Sequence, residues 1–156
     1  MCPAAIDLDT SEGSCAIPDP IPQNIAGEKP PLAEHAASRG RVLLIEDDWF
    51  ISSIVSGELA EYGYEVVAVA RSVAEASSFA GTAAIDAALV DLNLGGELPH
   101  AAIALLGQRR IPFVFMTAYS AVPEGVDCVA PLLEKPFTRA QLLSALDKIL
   151  QAPPGV

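Results

Sequence analysis

The chain has 156 residues, of which 51% are hydrophobic and 19% charged. A chain of this length can bury about 70% of its unfolded surface, so we expect one domain with its own core. The formal net charge is −11, which argues against binding nucleic acid or anionic membranes, because neutralising phosphates requires clustered Lys and Arg.

Nothing in the sequence predicts secretion or membrane insertion. The first residues lack a positive region followed by an apolar run, and the strongest apolar run, 111–116, is too short to cross a bilayer. The three cysteines, Cys2, Cys15 and Cys128, form neither a disulfide framework nor a zinc motif. We therefore expect a cytoplasmic protein.

Composition divides the chain into three parts. Residues 1–40 hold six of the thirteen prolines and lack apolar periodicity, so they cannot offset their ordering entropy and are predicted to form a flexible, acidic tail. Residues 41–150 are predicted to fold as the domain, and residues 151–156 to form a short C-terminal tail.

The first half of the domain alternates apolar runs with amphipathic stretches. Arg41–Ile45 is predicted to be a strand that stops at three acids. A helix follows and ends at Gly63, with Trp49 expected to pack against the protein. Its predicted buried face comprises Ile51, Ile54, Val55, Leu59 and Tyr62. Tyr64–Val69 is the second predicted strand, and Ser72 with Glu75 forms a capping box for the second helix.

The same alternation continues to the end of the domain. Three more strands are predicted at 85–90, 112–116 and 129–133. Pro99 begins a helix that runs to about Gln108, and Thr138 with Gln141 caps the last helix. Strands that are apolar on both faces and alternate with helices indicate an α/β fold, here a doubly wound five-stranded parallel sheet with its ligand crevice at the carboxyl ends of the strands.

Five chemically distinctive residues directly follow predicted strands. They are Glu46, Asp47, Asp91, Thr117 and Lys135. Clustered carboxylates repel one another unless a cation lies among them, and an all-oxygen donor set favours Mg²⁺. The additional ammonium of Lys135 indicates that a phosphoryl group visits the site.

Asp91 is the best candidate for a nucleophile toward phosphorus, which would yield an acyl phosphate. The Gly95-Gly96 segment beyond it is predicted to be an open loop whose backbone approaches a ligand closely. Glu46 and Asp47 would then hold the metal, while Lys135 and Thr117 would contact the phosphoryl oxygens.

These residues resemble the receiver domains of two-component response regulators over about residues 41–150. The resemblance rests on four blocks in the correct order: Leu-Leu-Ile-Glu46-Asp47-Asp48, Leu-Val-Asp91-Leu-Asn93, Val-Phe-Met-Thr117-Ala118 and Leu-Glu-Lys135-Pro136-Phe137.

The resemblance implies a flavodoxin-like receiver fold and a role for each matching position. Asp91 is the implied phosphoacceptor, and Glu46, Asp47, Asp91 and the main-chain carbonyl of Asn93 are the implied Mg²⁺ ligands. Lys135 is the implied phosphate partner, Thr117 the switch hydroxyl and Ala118 the small residue that keeps the site open. The Lys135–Pro136 bond is a candidate cis peptide.

Two departures from the family pattern concern the switch. The segment from Thr117 to Lys135 is about one helical turn short and holds Pro123 and Gly125, so the fourth helix is predicted to be short or absent. Leu132 stands where the family commonly has an aromatic switch residue. The pattern resembles a subgroup of stand-alone receivers, in which Tyr119 either takes the aromatic part or merely covers the pocket.

The resulting hypothesis is a single-domain response regulator, not an enzyme beyond slow self-dephosphorylation. It would accept phosphate from a sensor histidine kinase or a histidine phosphotransfer protein, and signal by contact with a downstream protein or by phosphorelay. The alternative is a phosphorylation-independent interaction module. Two other interpretations of Asp91 fail. A calcium-binding loop needs a glutamate at its twelfth position, which is Ala102 here. A phosphatase of the haloacid dehalogenase type needs a second aspartate two residues after the first, where this chain has Asn93.

Overall fold

The structure is a computed structural model that describes residues 38–118, 124, 126 and 130–151. The chain divides into two units, Met1–Glu34 and His35–Val156, and every described residue belongs to the second. Most of the predicted N-terminal tail and all but the first residue of the predicted C-terminal tail lie outside the described residues, so both tails remain predictions.

Five strands and four helices alternate along the described chain. They are β1 (Gly40–Ile45), α1 (Trp49–Glu61), β2 (Tyr64–Ala70), α2 (Val73–Thr82), β3 (Ala87–Asp91), α3 (His100–Gln108), β4 (Phe113–Thr117), β5 (Leu132–Glu134) and α4 (Arg139–Gln151). Each predicted element is present, with boundaries that differ by a few residues.

The strands form one parallel sheet in the order β2-β1-β3-β4-β5. This confirms the predicted doubly wound α/β fold. The register aligns the carboxyl ends of neighbouring strands, because Ile45 pairs with Val90, Asp91 with Met116, and Thr117 with Glu134. Residues that follow β1, β3, β4 and β5 are consequently neighbours at one edge of the sheet.

Each face of the sheet is covered by two helices. Alternate residues of β1 show the division, since Leu43 and Ile45 pack with α2 and α3, whereas Val42 and Leu44 pack with α1 and α4. All four side chains are fully buried. A sheet covered on both faces requires strands that are apolar at successive positions, which is the pattern that the sequence shows.

Side-chain caps determine where three of the helices begin. The Asp48 carboxylate accepts hydrogen bonds from the backbone N–H groups of Phe50 and Ile51 at the start of α1. The Ser72 hydroxyl accepts from the Glu75 N–H, and the Thr138 hydroxyl from the Gln141 N–H. The box at Thr138 is reciprocal, because the Gln141 side chain accepts from the Thr138 N–H. At Ser72 only half of the predicted box is present, because the Glu75 carboxylate accepts from the Arg71 N–H instead.

The buried face of α1 is narrower than its sequence predicts. Val55 and Leu59 are buried, but Ile54 and Tyr62 are exposed to 48% and 38%. Trp49 was expected to pack and is instead 67% exposed. The reason is that α1 begins at Trp49, so this residue lies in the first turn, beyond the edge of the sheet.

The segment between β4 and β5 was predicted to hold a short fourth helix or none. Residues 119–123, 125 and 127–129 lie outside the described residues, so this expectation remains a prediction. None of the four described helices has the length and apolar character that crossing a membrane requires.

Candidate functional site

Lys135 lies at the centre of the cluster at the carboxyl edge of the sheet. Its Nζ donates to Glu46 Oε2 at 2.6 Å and to Asp91 Oδ2 at 2.7 Å. Its backbone N–H donates to the Thr117 carbonyl oxygen at 2.7 Å, which fixes the residue against the end of β4. The Lys135–Pro136 peptide is cis, as predicted.

Glu46 supplies the most deeply buried carboxylate of the site. Its backbone N–H donates to the Ala70 carbonyl, and its Oε1 accepts from the Asp48 N–H at 3.3 Å. Burial raises the pKa of Glu46, while the hydrogen bond from Lys135 opposes that rise. Burial by itself would lower the pKa of Lys135, but its hydrogen bonds to Asp91 and Glu46 raise it overall. Lys135 is therefore a fixed positive charge between two acids.

Asp91 ends β3 and is 6% exposed. Its two carboxylate oxygens have different partners, since Oδ2 accepts from Lys135 and Oδ1 accepts from the Asn93 N–H at 2.9 Å. Both donors would stabilise negative charge close to this carboxylate. The residue is thus oriented from two sides at the carboxyl end of β3.

Asp47 completes a set of acids that can hold a metal. Glu46, Asp47 and Asp91 each offer one carboxylate oxygen, and the three atoms lie within 4.8 Å of one another. Oxygen donors at this spacing suit a hard divalent cation such as Mg²⁺, which retains several of its waters. A dication here would offset charge that Lys135 alone leaves unbalanced, so the donor set fits the metal predicted from the sequence.

Three of the four predicted switch and pocket residues are described in the structure. Thr117 is 1% exposed at the end of β4, and Ala118 is exposed next to it. Leu132 is 37% exposed on β5, where it pairs with Phe115. Tyr119 lies outside the described residues, so its part in the switch remains a prediction.

The loop after Asp91 is more ordered than an open loop. Leu94 and Glu97 exchange two backbone hydrogen bonds of 2.9 and 3.1 Å. Between them Gly95 and Gly96 have φ of +61° and +93°, a combination typical of a tight type I′ turn. The Asn93 side chain also accepts from the Gly96 N–H at 2.8 Å. The prediction of an open loop is wrong, because these bonds close it.

An apolar groove of about 490 Å³ opens beside the cluster. Phe50, Ile51, Ile54 and Val55 of α1 line one side, and Ala118 with residues 135–137 lines the other. Lys135 thus contributes to both the groove and the acidic cluster. Trp49 and Phe50, exposed to 67% and 60%, extend the apolar surface along the first turn of α1.

Sequence reasoning missed two features of this site. One is the groove, since periodicity predicts Ile51 and Ile54 on the buried helix face and does not show where the sheet beneath the helix ends. The second is a hydrogen bond of 3.0 Å from the Gly95 N–H to Asp47 Oδ2. The Gly95-Gly96 doublet signalled an unusual backbone, but not the residue that this backbone contacts.

Comparison with known proteins agrees with this geometry. The model of the family "Response regulator receiver domain" matches residues 42–147, which is more than half of the chain. The chain belongs to this family. It is also 34% identical over 109 residues to the response regulator protein FleR of Pseudomonas aeruginosa. That match covers 66% of this chain and 23% of FleR, so the chain spans less than a quarter of its relative.

Solved receiver structures have the same fold. The receiver domain of PhyR from Erythrobacter litoralis aligns with a TM-score of 0.65 at 26% identity, covering 75% of this chain and 96% of that one. Chemotaxis protein CheY4 of Vibrio cholerae aligns with a TM-score of 0.61 at 28% identity, covering 70% of this chain and 98% of CheY4. The receiver domain of PA1611 from Pseudomonas aeruginosa was solved with magnesium in its active-site cleft. It aligns with a TM-score of 0.63 at 24% identity, covering 72% of this chain and 98% of that one. At this identity the similarity concerns the fold alone.

Proposed function

We propose that this chain is a single-domain response regulator that accepts a phosphoryl group on Asp91. The carboxylate attacks the phosphorus of a phosphohistidine, the P–N bond breaks, and the imidazole leaves as an acyl phosphate forms. The observation that carries the proposal is Lys135 Nζ, which lies within hydrogen-bonding distance of Asp91 and Glu46 at once. Such a cation is positioned to stabilise phosphoryl oxygens.

Mg²⁺ is the metal that we propose for the site. Glu46, Asp47 and Asp91 would hold it, together with the main-chain carbonyl of Asn93 that the family resemblance implies. Bound there, the ion would neutralise charge on the phosphoryl oxygens. The spacing of the three carboxylates supports this assignment. We propose no enzymatic turnover beyond slow hydrolysis of the acyl phosphate.

The phosphate donor is proposed to be a sensor histidine kinase or a histidine phosphotransfer protein. Its phosphohistidine must reach Asp91, which is buried, so the donor has to contact the surface around the site. The apolar groove, which Lys135 also lines, and the exposed Trp49 and Phe50 lie on that surface. Exposed apolar surface that includes aromatic residues is typical of protein interfaces, and this supports docking of the donor along α1.

Output is proposed to be a protein contact, either docking on a downstream target or transfer of the phosphoryl group to another histidine. Phosphorylation places negative charge beside Lys135 and the buried Thr117, and such a local change can bias a two-state element.

A labelling experiment tests the proposed function. The chain is incubated with radiolabelled acetyl phosphate and Mg²⁺, with and without EDTA. We expect a label that depends on the metal and is lost from the Asp91→Asn variant. Asp48→Asn is the matched control, because asparagine also caps a helix well and Asp48 is a cap rather than a member of the cluster. Absence of label would favour the phosphorylation-independent interaction module. Label that survives Asp91→Asn would place the phosphoryl group on another residue, and either result overturns the proposal.

A further inference from the structure

The turn at Gly95 and Gly96 contacts the acidic cluster directly. The Gly95 N–H donates to Asp47 Oδ2 at 3.0 Å, although 48 residues separate the two in sequence. Asp47 is the exposed acid of the three, whereas Glu46 and Asp91 are buried and held by Lys135. Among its described contacts, Asp47 is therefore oriented mainly from the turn after β3.

The turn is itself held from two directions. Its residues Leu94 and Glu97 are joined by two backbone hydrogen bonds, and Leu94 is buried in the core under α2 and α3. The Asn93 side chain accepts from Gly96. Because the turn is anchored in the core, the Gly95 N–H is presented to Asp47 in a defined direction.

A carboxylate has two oxygens that can serve different partners. If Oδ2 of Asp47 is occupied by Gly95, Oδ1 remains for a cation, and the hydrogen bond restricts the rotation of the group. Groups that hydrogen-bond to metal ligands orient them, and their loss typically weakens metal binding about 10- to 100-fold.

We propose that Gly95 is a positioning residue for the metal site, whose left-handed backbone directs its N–H to Asp47 and thereby sets the affinity for Mg²⁺. The inference rests on the proposed function, in which Asp47 is a metal ligand. Gly95 lies outside the four sequence blocks that resemble the family, so the resemblance implies no role for it.

Two substitutions at the same position separate this role from simple folding. A Cβ added at Gly95 meets nothing within 4 Å, so there is open space where either side chain begins, and both variants keep the N–H. Asparagine tolerates the left-handed conformation at φ +61°, whereas a β-branched valine does not. Gly95→Asn should therefore retain the turn, and Gly95→Val should distort it.

The test is titration calorimetry of the unphosphorylated chain with MgCl₂, combined with urea denaturation in EDTA. We expect Gly95→Val to bind Mg²⁺ about tenfold more weakly than the natural chain, and Gly95→Asn to bind within about twofold of it. Equal Mg²⁺ affinity in both variants, whatever their stability, overturns the proposal. Failure of the natural chain to bind Mg²⁺ contradicts the proposed metal site itself, so the two failures are distinguishable.

Discussion

At the scale of single residues, Lys135 shows how a partly buried cation compensates two buried carboxylates. Its ammonium lies between Glu46 and Asp91, whose side chains are 1% and 8% exposed. Isolated charges at such depth are costly, and the two hydrogen bonds of 2.6 and 2.7 Å supply the compensation. Since three strand ends contribute these groups, the fold must be complete before the cluster exists.

Tyr64 offers a residue-scale test of a second buried polar group. Its hydroxyl donates to Asp147, and burial together with this hydrogen bond raises the pKa of Tyr64 from 10.0 to about 12. A phenol whose pKa rises on folding contributes stability that is complete below pH 10 and is lost as the pH rises toward 12. Two units correspond to about 2–3 kcal/mol.

We expect Tyr64→Phe to be less stable than the natural chain by about 1–2 kcal/mol at pH 8, because one hydrogen bond is lost. Between pH 10 and 12 the difference should shrink or reverse, since the variant has no hydroxyl to ionise at this position. Urea denaturation at several pH values measures it. A difference that stays constant from pH 8 to 12 would show that Tyr64 does not titrate in this range.

The residues of the candidate site were predictable for a simple physical reason. Parallel strands place their carboxyl ends together, so the residues that follow the apolar runs are expected to lie close to one another. These residues are Glu46, Asp91, Thr117 and Lys135. The contact of Gly95 with Asp47 was not predictable, because it depends on the exact course of a turn far away in sequence.

At the scale of elements, local sequence signals predicted where helices begin more accurately than they predicted which helix faces are exposed. The last helix illustrates this, because Thr138 and Gln141 form a complete reciprocal box. The Gln141 side chain accepts from the Thr138 N–H at 2.8 Å, and the Thr138 hydroxyl accepts from the Gln141 N–H at 3.3 Å. Caps depend on residues three positions apart, whereas the exposure of Ile54 and Tyr62 depends on where the sheet lies.

Thr138→Ala tests the contribution of this cap to α4. We expect it to lower the free energy of unfolding by about 1 kcal/mol, because backbone N–H groups at the helix start lose a partner. Ser144→Ala, at an exposed position inside the same helix, is the control and should change stability little. Chemical denaturation measures both. Similar values for the two variants would mean that the cap contributes nothing to stability.

At the scale of the whole molecule, charge and apolar surface have separate roles. The net charge of −11 disfavours binding to phosphate backbones, and three of the acids meet at one candidate cation site. The apolar groove beside this site is the surface that we propose for a protein partner. The amino-acid composition is enough to predict the net charge. The position of the groove can be known only from the fold, because the fold brings residues of α1 next to residues 135–137.

The proposed docking of a phosphate donor along α1 is testable with two aliphatic positions of comparable exposure. Ile54 lines the groove and is 48% exposed, while Val67 on the edge strand β2 is 39% exposed. We expect Ile54→Asp to slow phosphoryl transfer from a cognate phosphohistidine protein at least about tenfold, the loss typical of an interface hot spot. Val67→Asp should transfer at the natural rate.

Labelling by acetyl phosphate needs no protein docking and should be equal in both variants, which shows that the cleft is intact. Equal transfer rates from the protein donor in Ile54→Asp and Val67→Asp would place the docking surface elsewhere.

The central claim is that Asp91 carries the phosphoryl group, and chemical trapping tests it most directly. Borohydride reduces an aspartyl phosphate to homoserine, which mass spectrometry locates in the sequence. After incubation with acetyl phosphate and Mg²⁺, we predict homoserine at position 91 and at no other aspartate. Homoserine at Asp47 or Asp48, or its absence from a protein that carries label, would contradict the account.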